Sequence, residues 1–244
     1  MKTVLITGGS KGLGKALVQK YATKKYQVIL NYHSSLKEAQ EIKSEIKKQY
    51  NQDIYLIKCD ISSEEEVKEM VKKLITKFVK IDILINNAAL AIDEDIITKS
   101  AQTFKRVVNT NLLGTFLVSK YVGLEMQKNQ NGVIINVSST NAIDSYTPYS
   151  IDYDASKAGI ISLTHNLAQI FAPYVRVNAV APGWINTASV LKMNPHYLKS
   201  EQEKILLKRF AKVSEIVNLI YFMTSDKASY LNDSVIKIDG GRKC

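Results

Sequence analysis

The sequence predicts an α/β protein: a doubly wound sheet of about seven parallel strands with helices on both faces. Short runs of Val, Ile and Leu alternate with longer stretches of helical periodicity along the whole chain, which is the order of βαβ units. The short runs are continuously apolar rather than alternating, as strands covered on both faces are. The first run leads into a glycine cluster, Thr7-Gly8-Gly9-Ser10-Lys11-Gly12-Leu13-Gly14. A turn there lies at the end of the sheet where open α/β folds bind ligands.

The elements follow in order. Thr3–Ile6 is the first strand, and Leu13–Thr23 is a helix with Leu13, Ala16, Leu17 and Tyr21 at helical spacing. Gln27–Tyr32 is the second strand, Glu38–Tyr50 a lysine-rich helix, and Ile54–Lys58 the third strand. Ser62 or Ser63, followed by acidic residues, starts a helix carried by Val67–Val79. Asp82–Asn86 is the fourth strand, Phe104–Lys128 one long helix, and Gly132–Ser138 the fifth strand. Asp152–Phe171 is a helix and Val175–Val180 the sixth strand. A helix over Ser214–Ser225, introduced by Ser214-Glu215, and a seventh strand, Ser234–Ile238, close the order. Residues 186–212 are the irregular part, with Pro195 and short helical stretches, and suit a substrate loop. Residues 1–244 read as one domain, without repeat, low-complexity tract or linker.

Hydrophobic residues make up 45% of the 244, enough for a sizeable core. No apolar run approaches the ~18–20 residues of a membrane helix, so no membrane role is expected. The N-terminus reads as a buried strand rather than a targeting segment. Two cysteines, Cys59 and Cys244, are expected free, which points to a reducing cytoplasm. The net charge is +10, yet only four of the 33 basic residues are arginine. Base readers and phosphate clamps favour arginine, and the lysines are spread over helical segments, so nucleic acid is not an expected partner. The lysines read as solvated helix faces, with docking of an acidic carrier or substrate as the alternative. His33, His165 and His196 lack metal-ligand spacing, and no metal is expected.

Gly8, Gly12 and Gly14 depart from the G-x-G-x-x-G dinucleotide fingerprint. The physics holds nevertheless: glycine admits positive φ and lets a phosphate approach main-chain N–H groups at a helix start. At the end of the second strand, Asn31-Tyr32-His33-Ser34-Ser35, stands no Asp or Glu for the ribose 2′-hydroxyl of NAD. Lys11 in the turn reaches toward a 2′-phosphate, and Ser34 and Ser35 add hydrogen bonds. NADP(H) is therefore the expected cofactor and NAD(H) the alternative.

Tyr153-Asp154-Ala155-Ser156-Lys157 puts a phenol and an ammonium on one helix face. With 13 tyrosines in a lysine-rich chain, Tyr-x-x-x-Lys also arises by chance, as at Tyr21 and Lys25. Tyr21 is expected on the sheet's periphery. Tyr153 instead follows a strand ending in Val137-Ser138-Ser139, near the ligand-binding end. A free phenol titrates near ~10, and an adjacent ammonium is expected to lower it. Tyr153 then donates a proton to a carbonyl oxygen, Lys157 tunes it and binds the cofactor ribose, and Ser139 holds the substrate oxygen. Ser138 points to the other strand face.

In these residues the chain resembles the short-chain dehydrogenase/reductase family, a Rossmann-type fold, over essentially its whole length. The resemblance rests on Thr7-Gly8…Gly12-Leu13-Gly14, Asp60, Asn86-Asn87-Ala88-Ala89, Asn111, Ser139, Tyr153…Lys157, Pro182-Gly183-Trp184-Ile185-Asn186-Thr187 and Asp239-Gly240-Gly241. It implies a cofactor site built from Gly8, Ser10, Lys11, Gly12, Leu13, Gly14, Asn31 and Ser34, with Asp60 and Ile61 along the adenine. Asn86 and Ala88 line the cofactor, and Pro182, Gly183, Ile185 and Thr187 flank the nicotinamide. By the same resemblance, Asn111 interrupts a helix to hold a water in a proton relay to Lys157. Two departures stand out. Ala89 replaces the family's usual glycine, adding a methyl where close backbone approach is usual. The serine-to-tyrosine spacing is one residue longer than usual, so that Ser139 fits the strand end while Thr140 fits the count. Ser139 is preferred, the extra residue falling in the Asn141–Ile151 loop.

The expectation is an NADP(H)-dependent oxidoreductase reducing a carbonyl to a secondary alcohol, most similar to 3-oxoacyl-acyl-carrier-protein reductases. Its partners would then be an acyl thioester and acyl carrier protein, and the family's habit implies a homotetramer. The alternatives are an NAD(P)-dependent dehydrogenase of a sugar, sterol or polyol, and a non-catalytic dinucleotide sensor. The intact Asn111, Ser139, Tyr153 and Lys157 set argues against the sensor.

Overall fold

The computed structural model describes residues 1–242. Its strands are β1 (Thr3–Ile6), β2 (Gln27–Tyr32), β3 (Tyr55–Lys58), β4 (Ile83–Asn86), β5 (Gly132–Val137), β6 (Val175–Pro182) and β7 (Val235–Ile238). All neighbours pair in parallel, in the order β3-β2-β1-β4-β5-β6-β7. Leu5 of β1 lies opposite both Ile29 and Leu84. The chain therefore steps one way from β1 to β2 and the other way to β4, and the strand ends open a crevice between them.

The helices are α1 (Gly12–Thr23), α2 (Leu36–Tyr50), α3 (Glu64–Phe78), α4 (Ala101–Val108), α5 (Gly114–Lys128), α6 (Ile151–Phe171), α7 (Pro195–Glu203) and α8 (Val213–Met223). Side-chain alternation splits the sheet between two cores. Val4, Ile6, Val28 and Leu30 pack with α1, α2 and α8 through Leu17, Tyr21, Ile42, Ile46 and Ile220. Leu5, Ile29, Leu84 and Ile134 pack with α3, α5 and α6 through Met70, Leu74, Val118, Val122 and Phe171. This is the predicted doubly wound sheet with helices on both faces.

Three local expectations need correction. The long helix predicted over Phe104–Lys128 begins at Ala101, where the Ser100 hydroxyl accepts from the Thr103 N–H at 3.0 Å. A π-turn, Asn109–Leu113, then breaks it into α4 and α5. Tyr21 is not peripheral: it is fully buried, packs edge-on against Tyr26 and Tyr221, and shares a 2.6 Å hydrogen bond with Thr224. Its partner by spacing, Lys25, lies past the end of α1 at φ 58°, so that pair is accidental. The short helical structure expected in residues 186–212 is α7, capped by Asn194, whose side chain accepts from the His196 and Tyr197 N–H groups, with Pro195 as first residue. At α8 the cap is Lys212 rather than Ser214, with Glu215 accepting the Lys212 N–H at 2.7 Å.

Cys59 is buried and free, with burial pushing its thiol up to about 12; Cys244 lies outside the described residues. Among the described residues, no helix is long and apolar enough to cross a membrane, and no group of three or more His, Cys, Asp or Glu is placed to hold a metal ion.

Candidate active site

The glycine turn leaves β1 at Thr7, whose side chain is fully buried. Its hydroxyl accepts the Asn87 and Ala88 N–H groups at 3.0 and 3.1 Å, while the Asn87 amide donates to the Thr7 and Gly8 carbonyls. Gly8 stands at φ 61°, and a Cβ there would lie 2.7 Å from the Ala88 Cα. A Cβ on Gly14 would lie 2.2 Å from the Gly8 carbonyl oxygen. Both positions therefore require glycine. At Gly12, with φ 52°, a Cβ would meet only the Thr187 methyl, at 3.9 Å. Among the described residues, no side chain caps α1 and no acid sits in its first turn. Its leading N–H groups thus face outward, as an anion site requires.

In front of the turn lies an open cleft of about 1540 Å³, larger than the ~300–1,000 Å³ of an ordinary small-ligand pocket. Its lining includes Gly8, Ser10, Lys11, Gly12, Leu13, Gly14, Asn31, Ser34, Asp60, Ile61, Ala88 and Thr187. Asn31 forms the floor: its side chain accepts from the Gly8 N–H at 3.4 Å and donates to the Cys59 carbonyl at 3.2 Å, tying three strand ends together. The Ser10 and Ser35 hydroxyls meet at 2.6 Å. Asp60 accepts from the Ser62 N–H and hydroxyl at 3.0 and 2.8 Å. Burial pushes its pKa up, but those bonds and His33 outweigh burial and leave it below the usual range. The glycine cradle, outward N–H groups and elongated cleft fit a dinucleotide.

Two wall residues escaped the sequence reading. Asn86 is turned inward, donating to Ser119 and Asn136 at 2.8 Å each, and the wall is formed by Asn87, Ala88, Ala89 and Leu90. The second Asn of the motif, not the first, braces the turn. Crowding at the glycine turn falls on Ala88, while Ala89 is exposed on the cleft wall. The other residue is Glu38, in the first turn of α2, whose carboxylate pairs with Lys11 at 2.8 Å across the cleft. The end of β2 lacks an acid, but the next helix brings one back.

Beyond Leu90 lies the candidate catalytic group. Tyr153 is half-buried near the start of α6, and Lys157 one turn later is buried. The Lys157 ammonium donates to the Val137 carbonyl at 2.7 Å and lies 5.5 Å from the centre of the Tyr153 ring. The Ser138 hydroxyl, on the opposite side, donates to the Lys157 carbonyl at 2.8 Å. Ser139, at the strand end, acts on the Tyr153 phenol and lowers its pKa, while its hydroxyl accepts the Asn141 N–H at 3.2 Å. Thr140 is almost fully buried, with its carbonyl accepting from Ile143, Asp144 and Ser145. The two short 3-10 turns, Thr140–Ala142 and Pro148–Ser150, take up the longer spacing to Tyr153.

The titration directions correct one expectation. Desolvation pushes the Tyr153 phenol up to about 12, with Ser139 pulling it down and Asp154 and Asp93 adding to the rise. Burial pulls Lys157 down to about 8. The protein's own groups therefore keep the phenol protonated instead of lowering it, because burial, with Asp154 and Asp93, outweighs the pull of Ser139.

Asn111 is fully buried in the π-turn. Its side chain accepts from the Leu90 N–H at 2.7 Å and donates to the Leu90 carbonyl at 2.9 Å and to Ser156 at 3.0 Å. The helix interruption is present, and the side chain clamps the cleft wall to α6.

Pro182 ends β6, and Gly183 follows beneath Asp239, with its N–H donating to the Ile238 carbonyl at 3.0 Å. Ile185 bridges to Ala211, and Thr187 reaches the cleft. Trp184 packs at 5.6 Å on Phe210 and at 6.1 Å edge-on to Tyr197. Its indole N–H donates to buried Glu201 of α7 at 3.0 Å, and Glu201 also pairs with Arg242 at 2.8 Å and with Lys204 at 2.6 Å. The tryptophan is therefore packed within residues 186–212 and latches them.

Comparison with known proteins agrees with this geometry. A family model described as enoyl-(acyl carrier protein) reductase matches residues 8–243. The 3-oxoacyl-[acyl-carrier-protein] reductase FabG of Staphylococcus epidermidis is 34% identical, covering 98% of each chain. The protein of the same name from Thermotoga maritima is 36% identical over 98% of this chain and 97% of its own. A solved structure of ElxO with NADP bound superposes with a TM-score of 0.90, at 32% identity over 98% of this chain and 97% of that one.

Lys157 sets a pH dependence. Its folded value of about 8 lies below that of free lysine, so between ~8 and ~10.4 the unfolded chain holds more protons and stability rises with pH. The burden of the buried ammonium is full below that window. Lys157→Met should therefore gain unfolding free energy relative to wild type at about pH 7 over about pH 10, by roughly 2–3 kcal/mol. Paired urea titrations measure this, and an equal difference at both pH values refutes it.

Proposed function

This chain belongs to the short-chain dehydrogenase/reductase family, and from that premise we propose that it reduces a carbonyl to a secondary alcohol with NADP(H), its substrate a 3-oxoacyl thioester borne by acyl carrier protein. The observation that carries the reading is the grouping of Tyr153, Ser139 and Lys157 beside a dinucleotide-sized cleft. The cofactor, when bound across the glycine turn, supplies the hydride. Tyr153 donates the proton to the carbonyl oxygen: a phenol held at about 12 keeps its proton at neutral pH. Ser139 donates a hydrogen bond to the same oxygen and steadies its charge. Lys157, mostly protonated at pH 7, offsets the charge left on Tyr153.

Lys11 supports NADP(H), as does the bound NADP of the ElxO relative; Glu38 opposes a 2′-phosphate and must release Lys11. The exposed apolar residues Phe104, Phe116 and Leu124 of α4 and α5, with Ile170 of α6, support a homotetramer. Free, buried Cys59 suits the reducing cytoplasm.

An NADPH-oxidation screen of 3-oxoacyl thioesters, sugars and simple ketones tests the activity. Tyr153→Phe should lose roughly 10²–10⁴-fold in turnover; unchanged turnover refutes the mechanism. Ser139→Ala should lose most turnover and Thr140→Val little, and the reverse would move the role to Thr140. In fluorescence titrations, Lys11→Met should weaken NADPH about tenfold and leave NADH unchanged, while Glu38→Gln tightens NADPH. Wild type binding NADH at least as well as NADPH overturns the preference. Light scattering should give four times the chain mass, and a monomer would refute the tetramer.

A further inference from the structure

Residues 90–99 run from the cleft wall toward α4 and are fastened to the start of α6. The Ser150 hydroxyl donates to Asp93, and the Glu94 N–H donates to the Tyr149 carbonyl at 2.9 Å. The third fastening is an ion pair: the Lys99 ammonium lies 2.9 and 3.0 Å from the two carboxylate oxygens of Asp152 and 2.9 Å from the Ile92 carbonyl. The two side chains are 3% and 0% exposed. An Asp152 oxygen also accepts the Tyr153 N–H at 2.9 Å.

A buried ion pair contributes little net stability, because removing two charges from water offsets most of their attraction. Its contribution here is directional. The Tyr153 peptide is held on its N-terminal side by Asp152 and, through it, Lys99. On the C-terminal side its carbonyl accepts the Ser156 hydroxyl at 2.7 Å, and Ser156 is held by Asn111. Asn111 grips both polar atoms of the Leu90 peptide. Both routes lead to residues 90–99, whose first residue is cleft wall. The phenol is therefore referenced to the wall against which the cofactor would lie, not only to its own helix.

Building on the proposed role of Tyr153 as proton donor, we propose that Lys99 and Asp152 are positioning residues, a buried pair that fixes Tyr153 relative to the cofactor wall. Either charge alone, left buried, strains the fold. Removing both while keeping the acceptor for the Tyr153 N–H should spare the fold and lose the positioning.

The test compares Lys99→Met, Tyr153→Phe and the double variant Lys99→Met/Asp152→Asn by thermal unfolding, NADPH titration and steady-state ketone reduction. The single lysine variant should melt well below wild type. The double variant should recover most of that loss and bind NADPH within twofold of wild type. Its kcat should nevertheless remain at least tenfold down, with KM little changed. A purely structural pair would restore kcat together with stability, so a double variant within twofold of wild-type kcat overturns the proposal. A double variant that no longer unfolds cooperatively overturns it too. Normal turnover in Tyr153→Phe would instead sink the proton-donor reading. An inactive Tyr153→Phe beside a fully active double variant would sink only the positioning role.

Discussion

The active face depends on how the ends of β1 and β4 are locked together. One buried hydroxyl, Thr7, receives two consecutive N–H groups of the strand that follows in the sheet, and Asn87 returns two bonds to the glycine turn. The lock leaves no room for a side chain at Gly8 or Gly14. It also fixes two surfaces at once, the cradle of the turn and the wall from Asn87 to Leu90. The wall's last residue is passed to Asn111, and from there to α6. A single strand junction thus sets where a dinucleotide would lie and where the phenol stands.

Burial, more than pairing, sets the chemistry of the catalytic group. The same dry surroundings raise the phenol and depress the ammonium, so neither charge is favoured until something arrives to share it. Such a site holds its proton until a bound reactant changes the electrostatic balance. The Lys99–Asp152 pair tolerates a similarly dry environment because each charge has its partner in place.

Much of this was legible in the sequence, and the remainder has identifiable physical causes. The strands were readable because both faces are covered and their runs are continuously apolar. The glycine turn and the Tyr153–Lys157 spacing are local, and local geometry survives translation from sequence. The π-turn at Asn109–Leu113 left no mark on the helical periodicity on either side, so only the family resemblance pointed to an interruption at Asn111. Glu38 was missed because the acid was sought at the end of β2 and arrives beyond the loop, in the first turn of α2. Tyr21 matched the same spacing as Tyr153, and the strand end before Tyr153 told them apart, but the burial of Tyr21 against Tyr26 and Tyr221 was not foreseen. Lys99 and Asp152 stand 53 positions apart, and no periodicity links them.

Glu201 gathers Trp184, Lys204 and Arg242, and Leu206 and Leu207 donate main-chain bonds to the Gly241 and Gly240 carbonyls at 3.1 Å each. Residues 186–212 are thereby laced to the chain's last described residues. They are not an interchangeable module. A chimera that borrows residues 186–212 from a relative would import a helix whose buried carboxylate expects a particular arginine some forty positions downstream. Grafting substrate preference into or out of this scaffold means moving the tail together with the loop.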